Sequence, residues 1–521
     1  MSLAVLCSRG QTGIETWEVS VEVHIAGGLP GFSIAGLPTT SVRESRDRVR
    51  AALQNCELPV PPKRVTVHLG PADLPKDGGR FDLAIALGIV HAEHRPAWQL
   101  RGTEFIGELS LAGELRPVIG ALPAIVAARD AGRPIVIPAG NAAEAQRVEG
   151  NTVMAAGHLR EVLAWLDGTG TLERVSACGP QAPADTALDL GDVRRQPLAR
   201  RAVVIAAAGA HNLLLFGPPG SGKTMLAERL PALLPPLSND EYLTVAAIAS
   251  LSGSKPPASA AAAFRAPHHS ATARALLGGG GKPLPGEVSL AHHGVLFLDE
   301  LPEFAREALE GLREPLETGV VSVSRALHRF TYPARFQLIA AMNPCPCGYA
   351  GDAARCTCTP SQLARYTARV SGPLLDRIDL HVEVPRCNVP ADAEPPKRLN
   401  PQMRELVARA RARQLARAGV LNARLDARAL RETAGIRDDA AALLDRSAWR
   451  WQLSNRAAAR ALKAARTIAD IDEADHVETV HVAEALQLRQ LDRRAAGPTR
   501  DATAAGADIN AATVSDSSRT S

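Results

Sequence analysis

Three short apolar runs in this sequence each end in residues suited to phosphate chemistry. The first, Leu213-Leu214-Leu215-Phe216, leads into Gly217-Pro218-Pro219-Gly220-Ser221-Gly222-Lys223-Thr224 and then Met225-Leu226-Ala227. This is GxxxxGK[ST] in the order strand, loop, helix that the pattern requires. The glycines let backbone N–H groups converge on phosphate oxygens, and the N-terminus of the following helix adds partial positive charge. Lys223 is suited to the β- and γ-phosphates of ATP, and the Thr224 hydroxyl to Mg²⁺. The second run, Val295-Leu296-Phe297-Leu298, ends in Asp299-Glu300. Carboxylates at the C-terminal end of a buried strand stand where open parallel sheets bind their ligands. Asp299 is then a Mg²⁺ holder, directly or through water, and Glu300 the group that polarises an attacking water. A third run, Gln337-Leu338-Ile339-Ala340-Ala341-Met342, ends in Asn343. The chemistry these residues predict is Mg²⁺-dependent hydrolysis of ATP.

A second constellation follows at once. Cys345 and Cys347 form one CxC pair, Cys356 and Cys358 another. Four thiolates so close in sequence satisfy tetrahedral Zn²⁺, although CxC is a tighter spacing than the commoner CxxC. Cys7, Cys56, Cys178 and Cys387 are scattered and read as inert. The pairs His268-His269 and His292-His293 have no carboxylate spaced to complete a metal site. Lys223 and Asp299 stand 76 positions apart, which leaves room for an inserted loop; residues 264–285, with their glycine run, are read as that insert.

The elements that must position these residues form an α/β protein of about three domains, at roughly 100–200 residues each. Residues 1–170 form one α/β unit. Val19, Val21, Val23 and Ile25 alternate as a strand does, residues 81–90 read as a buried helix, and Ala112-Gly113 marks a hairpin. Residues 171–188 are a linker and 189–387 a parallel-sheet core with helices on both faces. Pro-rich 388–401 is a second linker, 402–495 an Ala/Leu/Arg-rich helical lid, and 496–521 a tail with almost nothing to bury, hence disordered. Lys and Arg number 59 against 55 Asp and Glu, a formal charge of +4, too small to argue for nucleic acid by itself. Clustering matters more: Arg404, Arg409, Arg411, Arg413 and Arg417 crowd one helix, and Arg43, Arg46 and Arg50 recur at helical spacing. Eight cysteines in 521 residues make no disulfide framework. The N-terminus lacks a signal-peptide pattern, and no apolar stretch approaches the ~18 residues of a membrane span. A soluble, cytoplasmic protein without a membrane partner is expected.

The sequence also resembles the magnesium-chelatase-like AAA+ ATPases, specifically the competence-protein ComM (YifB) group. The likeness runs from Met1 to about Leu491 through GLPGFSIAGLP, LPKDGGRFDLAIALGI, HNLLLFGPPGSGKTMLA, FRAPHHSAT, GEVSLAHHGVLFLDELPEF, MNPCPCGY, SGPLLDRIDLHVEV and ARTIADI. It implies that Asn343 helps position the attacking water. It further implies that Arg377 is an arginine finger serving the neighbouring subunit, and Arg456 a sensor arginine on its own subunit's ATP. A finger supplied in trans implies a ring, here a homo-hexamer. The implied activity is an ATP-driven DNA motor, a branch-migration helicase acting without sequence preference on branched or single-stranded DNA during natural transformation. A metal-chelatase motor subunit and a protein-remodelling ATPase are the rivals. Residues 1–170 resemble the Lon-type protease domain, but Arg80 stands at the nucleophile position and Pro123 at the lysine position, so no peptidase is expected.

Overall fold

The computed structural model describes residues 2–94, 97, 98, 100, 102–183, 188–280, 283–325, 328–352, 354–387 and 398–495. The expected disordered tail, 496–521, lies outside the described residues, as do 184–187 of the first linker and 388–397 of the second.

The first unit is built on an eight-stranded sheet. In spatial order its strands are Glu173–Arg174, Val153–Ala156, Ile135–Pro138, Glu104–Phe105, Ser2–Thr12, Glu15–Ala26, Arg64–Gly70 and Gly31–Ala35. Ser2–Thr12 and Glu15–Ala26 pair antiparallel from Ser2 opposite Ile25 to Thr12 opposite Glu15. Side chains alternate across a strand, so Val19, Val21, Val23 and Ile25 all enter one core. Helix Asp82–His94 is enclosed along almost its whole length, and with Thr40–Asn55 and Leu159–Leu166 it covers that face. The hairpin at Gly113 forms between Glu108–Leu109 and Leu115–Arg116. The opposite face carries helix Ala121–Asp130, and there Tyr242, Leu243, Ala246 and Ala247 of the next unit join its core.

The second unit holds a five-stranded parallel sheet in the order Phe264–Arg265, Val295–Leu298, Gln337–Met342, Leu213–Phe216, Leu380–Glu383. Both faces are covered, which is why its strands read as unbroken apolar runs. Leu213 and Leu215 point into one core and Leu214 into the other. Phe264–Arg265 is therefore an edge strand of this sheet, pairing Phe264 with Val295. The inserted segment expected from residue 264 starts after it, with helix Ala273–Leu277 and the small ladder Gly278–Gly279 against Leu284–Pro285.

The C-terminal helices are less separate than their composition suggests. Val407, Ala410, Ala461, Ala464, Ala465 and Ile468 share one core with the strand residues Leu213, Leu215, Leu380 and Val382. The described part of the first linker is also anchored. Glu173–Arg174 adds a strand to the large sheet, and Gln181 exchanges backbone hydrogen bonds with Ala258 and Ala260. The Asp189 carboxylate accepts from the amides of Gly191, Leu399 and Asn400, tying the start of the second unit to the start of the helical region.

Candidate functional site

The site lies at the C-terminal ends of three adjacent strands. After Phe216 the chain turns so sharply that a Cβ on Gly217 would lie 2.2 Å from the Val384 carbonyl oxygen. Gly222, just before helix Lys223–Arg229, has φ 93°, a backbone state costly for other residues. The Lys223 ammonium donates to the carbonyls of Gly217 (2.8 Å) and Pro218 (3.0 Å) and to Asn343 Oδ1 (3.2 Å). It thus joins the phosphate turn to the third strand. Burial lowers its pKa below the ordinary lysine value, against the opposing pull of Asp299 and Glu300.

Thr224 Oγ1 donates to Asp299 Oδ2 at 2.9 Å, and the Glu300 amide donates to Asp299 Oδ1 at 2.9 Å. Both carboxylate oxygens are thereby oriented. Hydroxyl and carboxylate oxygens are the hard donors that Mg²⁺ takes beside phosphate, and Thr224 is exposed to receive it. The donor set fits Mg²⁺-ATP. Glu300 itself sits at φ 52°, a left-handed conformation costing on the order of 1–3 kcal/mol for a non-glycine residue. Its carboxylate meets His269 Nδ1 at 3.1 Å. His269 follows the edge strand Phe264–Arg265, whose parallel pairing with Val295–Leu298 delivers it beside Asp299-Glu300.

Arg377 and Arg456 come together elsewhere. Arg377 is buried, with Nη2 2.6 Å from Glu317 and further bonds to the carbonyls of Arg313 and Pro373. Arg456 Nη1 lies 3.4 Å from the same Glu317 carboxylate. Neither has a hydrogen bond or ion pair to Lys223, Thr224, Asp299, Glu300 or Asn343 among the described residues.

The four cysteines Cys345, Cys347, Cys356 and Cys358 do converge, with all Sγ atoms within 4.8 Å of one another. They are the one candidate metal cluster among the described residues. The Cys345 Sγ accepts the Ala350 amide at 3.2 Å. The Tyr349 amide, then the Cys345 thiol, lower the Cys347 thiol to about 6. The histidines join no such cluster. His268 bonds Ser270, His292 accepts the Arg335 amide, and His293 faces Glu241.

The arginine-rich helix Asn400–Ala418 is engaged within the chain. Arg404 and Arg411 donate to the carbonyls of Ala232 and Ala207; Arg409, Arg413 and Arg417 pair with Glu473, Asp475 and Asp470. Arg43, Arg46 and Arg50 are exposed on one helix, Arg46 being paired with the neighbouring Asp47. In the first unit Arg80 is buried on the Ile119 carbonyl, and Pro123 is buried in helix Ala121–Asp130.

A parallel sheet carrying a phosphate turn, a paired acid tip and a polar residue on the intervening strand defines a P-loop nucleotide site in an AAA+-like domain. Family descriptions match three stretches: "Magnesium chelatase, subunit ChlI" over residues 189–391, "Subunit ChlI of Mg-chelatase" over 21–141, and "Magnesium chelatase, subunit ChlI C-terminal" over 400–489. Among relatives, the uncharacterized protein YifB of Salmonella typhimurium is 47% identical over 506 residues, covering 95% of this chain and 98% of the relative. The competence protein ComM of Haemophilus influenzae is 45% identical over 503 residues, with the same coverage. The chain belongs to the magnesium-chelatase ChlI-like family and, within it, to the group of YifB and ComM.

Proposed function

We propose that this chain is a Mg²⁺-dependent ATPase that works as a hexameric motor on DNA, with branched DNA as its substrate. The observation that carries the ATPase is the meeting of Lys223, Asn343, Thr224, Asp299 and Glu300 at adjoining strand ends. In this reading Lys223 grips the terminal phosphates, and Asn343 and Glu300 hold and polarise the attacking water. Thr224 and Asp299 hold Mg²⁺, which neutralises charge on the phosphate oxygens when bound. Arg377 is the finger for a neighbouring chain's site and Arg456 a sensor arginine in the same machinery. The four thiols hold one structural Zn²⁺.

The DNA assignment is supported by the likeness to ComM, a competence protein by name, over nearly the full chain. The exposed arginines of helix Thr40–Asn55 offer sequence-independent phosphate contact. The first unit is a Lon-like fold without peptidase chemistry. No helix among the described residues is long and apolar enough to cross a membrane.

The test is ATP turnover with and without forked or four-way DNA. Turnover should rise with branched DNA. Lys223→Ala should lose nucleotide binding, and Glu300→Gln should bind ATP yet turn over about 100-fold or more slowly. A rate indifferent to every DNA offered would transfer the assignment to a chelatase-type or protein-remodelling ATPase.

A further inference from the structure

We infer that the four-cysteine metal is a clamp on the nucleotide site, so that loading of the thiols sets the rate of ATP turnover. The inference rests on the ATPase and zinc readings above and goes beyond them by joining the two sites.

The cysteine loop meets the phosphate turn directly at Pro219 and is joined by the chain to Asn343. Cys345 is separated from Asn343 only by Pro344, and Asn343 is the residue that accepts from Lys223. A Cβ on Gly348 would lie 2.6 Å from Pro219 Cδ, so the loop backbone packs directly on the proline of the phosphate turn. Gly348 is buried and its amide donates to the Cys345 carbonyl at 2.9 Å, which closes the loop on itself. Helix Pro360–Thr367, entered just after Cys358, then buries Tyr366.

The cluster suits a single ion. Zn–S bonds of about 2.3 Å in a tetrahedron place sulfurs roughly 3.8 Å apart. The observed separations are 3.2 Å (Cys345–Cys347), 3.7 Å (Cys347–Cys356) and 4.0 Å (Cys345–Cys356). Apart from the Pro219 contact, the bonds that shape the loop are local turns, such as the amides of Asp352 and Cys356 on the carbonyls of Tyr349 and Asp352. Among the described residues of 346–359 only Gly348 is buried, so no apolar core fixes it. A bound ion therefore supplies the closure that side-chain packing does not, and it does so beside Pro219 and Asn343. Without it the loop gains freedom, Asn343 and the turn lose their support, and the reacting groups drift from alignment.

The experiment uses the full chain. Metal analysis should find one zinc per chain. Withdrawal by a chelator under reducing conditions should cut ATP turnover by about tenfold or more. Affinity for a fluorescent ADP analogue should change far less, and Zn²⁺ or Co²⁺ should restore the rate. Co²⁺ should also give a thiolate charge-transfer band that Cys358→Ser weakens. Turnover unchanged after complete removal overturns the clamp, as does a purified chain without bound zinc. A metal-free chain that loses its cooperative unfolding transition overturns it too, because the ion would then support the whole fold. A zinc-loaded chain that cleaves no ATP overturns the ATPase reading instead, and the clamp with it.

Discussion

At the scale of single residues, the least expected feature is the contact between His269 and Glu300. Glu300 is the group assigned to polarise water, and its backbone is in the left-handed region. Its carboxylate lies 3.1 Å from His269 Nδ1, which fixes its direction. Removing the histidine frees the carboxylate to rotate without touching Lys223, Thr224 or Asp299. His269→Ala should therefore lower ATP turnover by about tenfold, within the range that misplacement of a reacting group produces. ADP affinity should stay near the parent value, and His269→Asn, which keeps a hydrogen-bond donor, should recover part of the rate. Equal turnover in parent and His269→Ala would remove the histidine from the mechanism. The phosphate turn was legible in the sequence because all its parts are local: a strand, a glycine-rich loop and a helix in one continuous stretch. His269 was not. The strand that delivers it, Phe264–Arg265, is too short to show alternation, and its partner strand begins at Val295.

At the scale of elements, the helical region and the parallel sheet are joined by a buried polar network centred on Asp379. Its carboxylate takes Arg460 Nη1 of helix Asn455–Ile471 at 2.6 Å and the Asn212 amide at 2.8 Å, with His211 Nδ1 3.7 Å away. His211 Nε2 in turn meets Thr467 on the same helix at 2.7 Å. Burial alone would raise the Asp379 carboxyl, but the nearby His211 ring and the Arg460 charge outweigh it and hold it well below the usual carboxylate range. A carboxyl with a depressed folded-state pKa stabilises the fold at pH above the unfolded value of about 4, and the contribution is lost as pH falls toward the folded value. Asp379→Asn should cost about 3–5 kcal/mol at neutral pH, as for a buried pair that loses one partner. Its unfolding free energy should also vary less between neutral pH and acid than that of the parent. Denaturant titrations at several pH values check both. This network ties the helical region to the sheet through contacts that a sequence reading does not show. Ala-rich helices carry a helical pattern of their own, while the partners of Arg411, Arg417 and Arg460 lie far off in the chain. The same distance hides the role of the arginine-rich helix, whose charges read as a basic surface until Ala207, Ala232 and Asp470 are seen beside them.

At the scale of the whole molecule, the geometry of Arg377 and Arg456 bears on assembly. Both converge on Glu317, and neither is bonded to the phosphate turn of its own chain. An arginine finger acts where one chain's guanidinium meets charge developing on phosphate held by the next, and a head-to-tail interface of that kind repeats around a closed ring. In the proposed finger role Arg377 would exchange the Glu317 carboxylate for a neighbour's phosphate, and both are anions that a planar guanidinium binds in the same way. The sharpest test uses two chains that each lack one half of the composite site. Glu300→Gln keeps Arg377 but lacks the water-polarising acid; Arg377→Ala keeps Glu300 but offers its neighbour no finger. Alone, Glu300→Gln should turn over about 100-fold or more below the parent, and Arg377→Ala at least about 10³-fold below it, the lower end of what a finger contributes. In an equal mixture, random assembly places Glu300 and a neighbour's Arg377 at about a quarter of the sites, so turnover should rise to roughly that share of the parent rate. The gain should disappear on dilution below the concentration at which chains associate, as light scattering reports. A mixture no more active than the sum of its components would place Arg377 in its own chain's structure, held there by Glu317 and the carbonyls of Arg313 and Pro373.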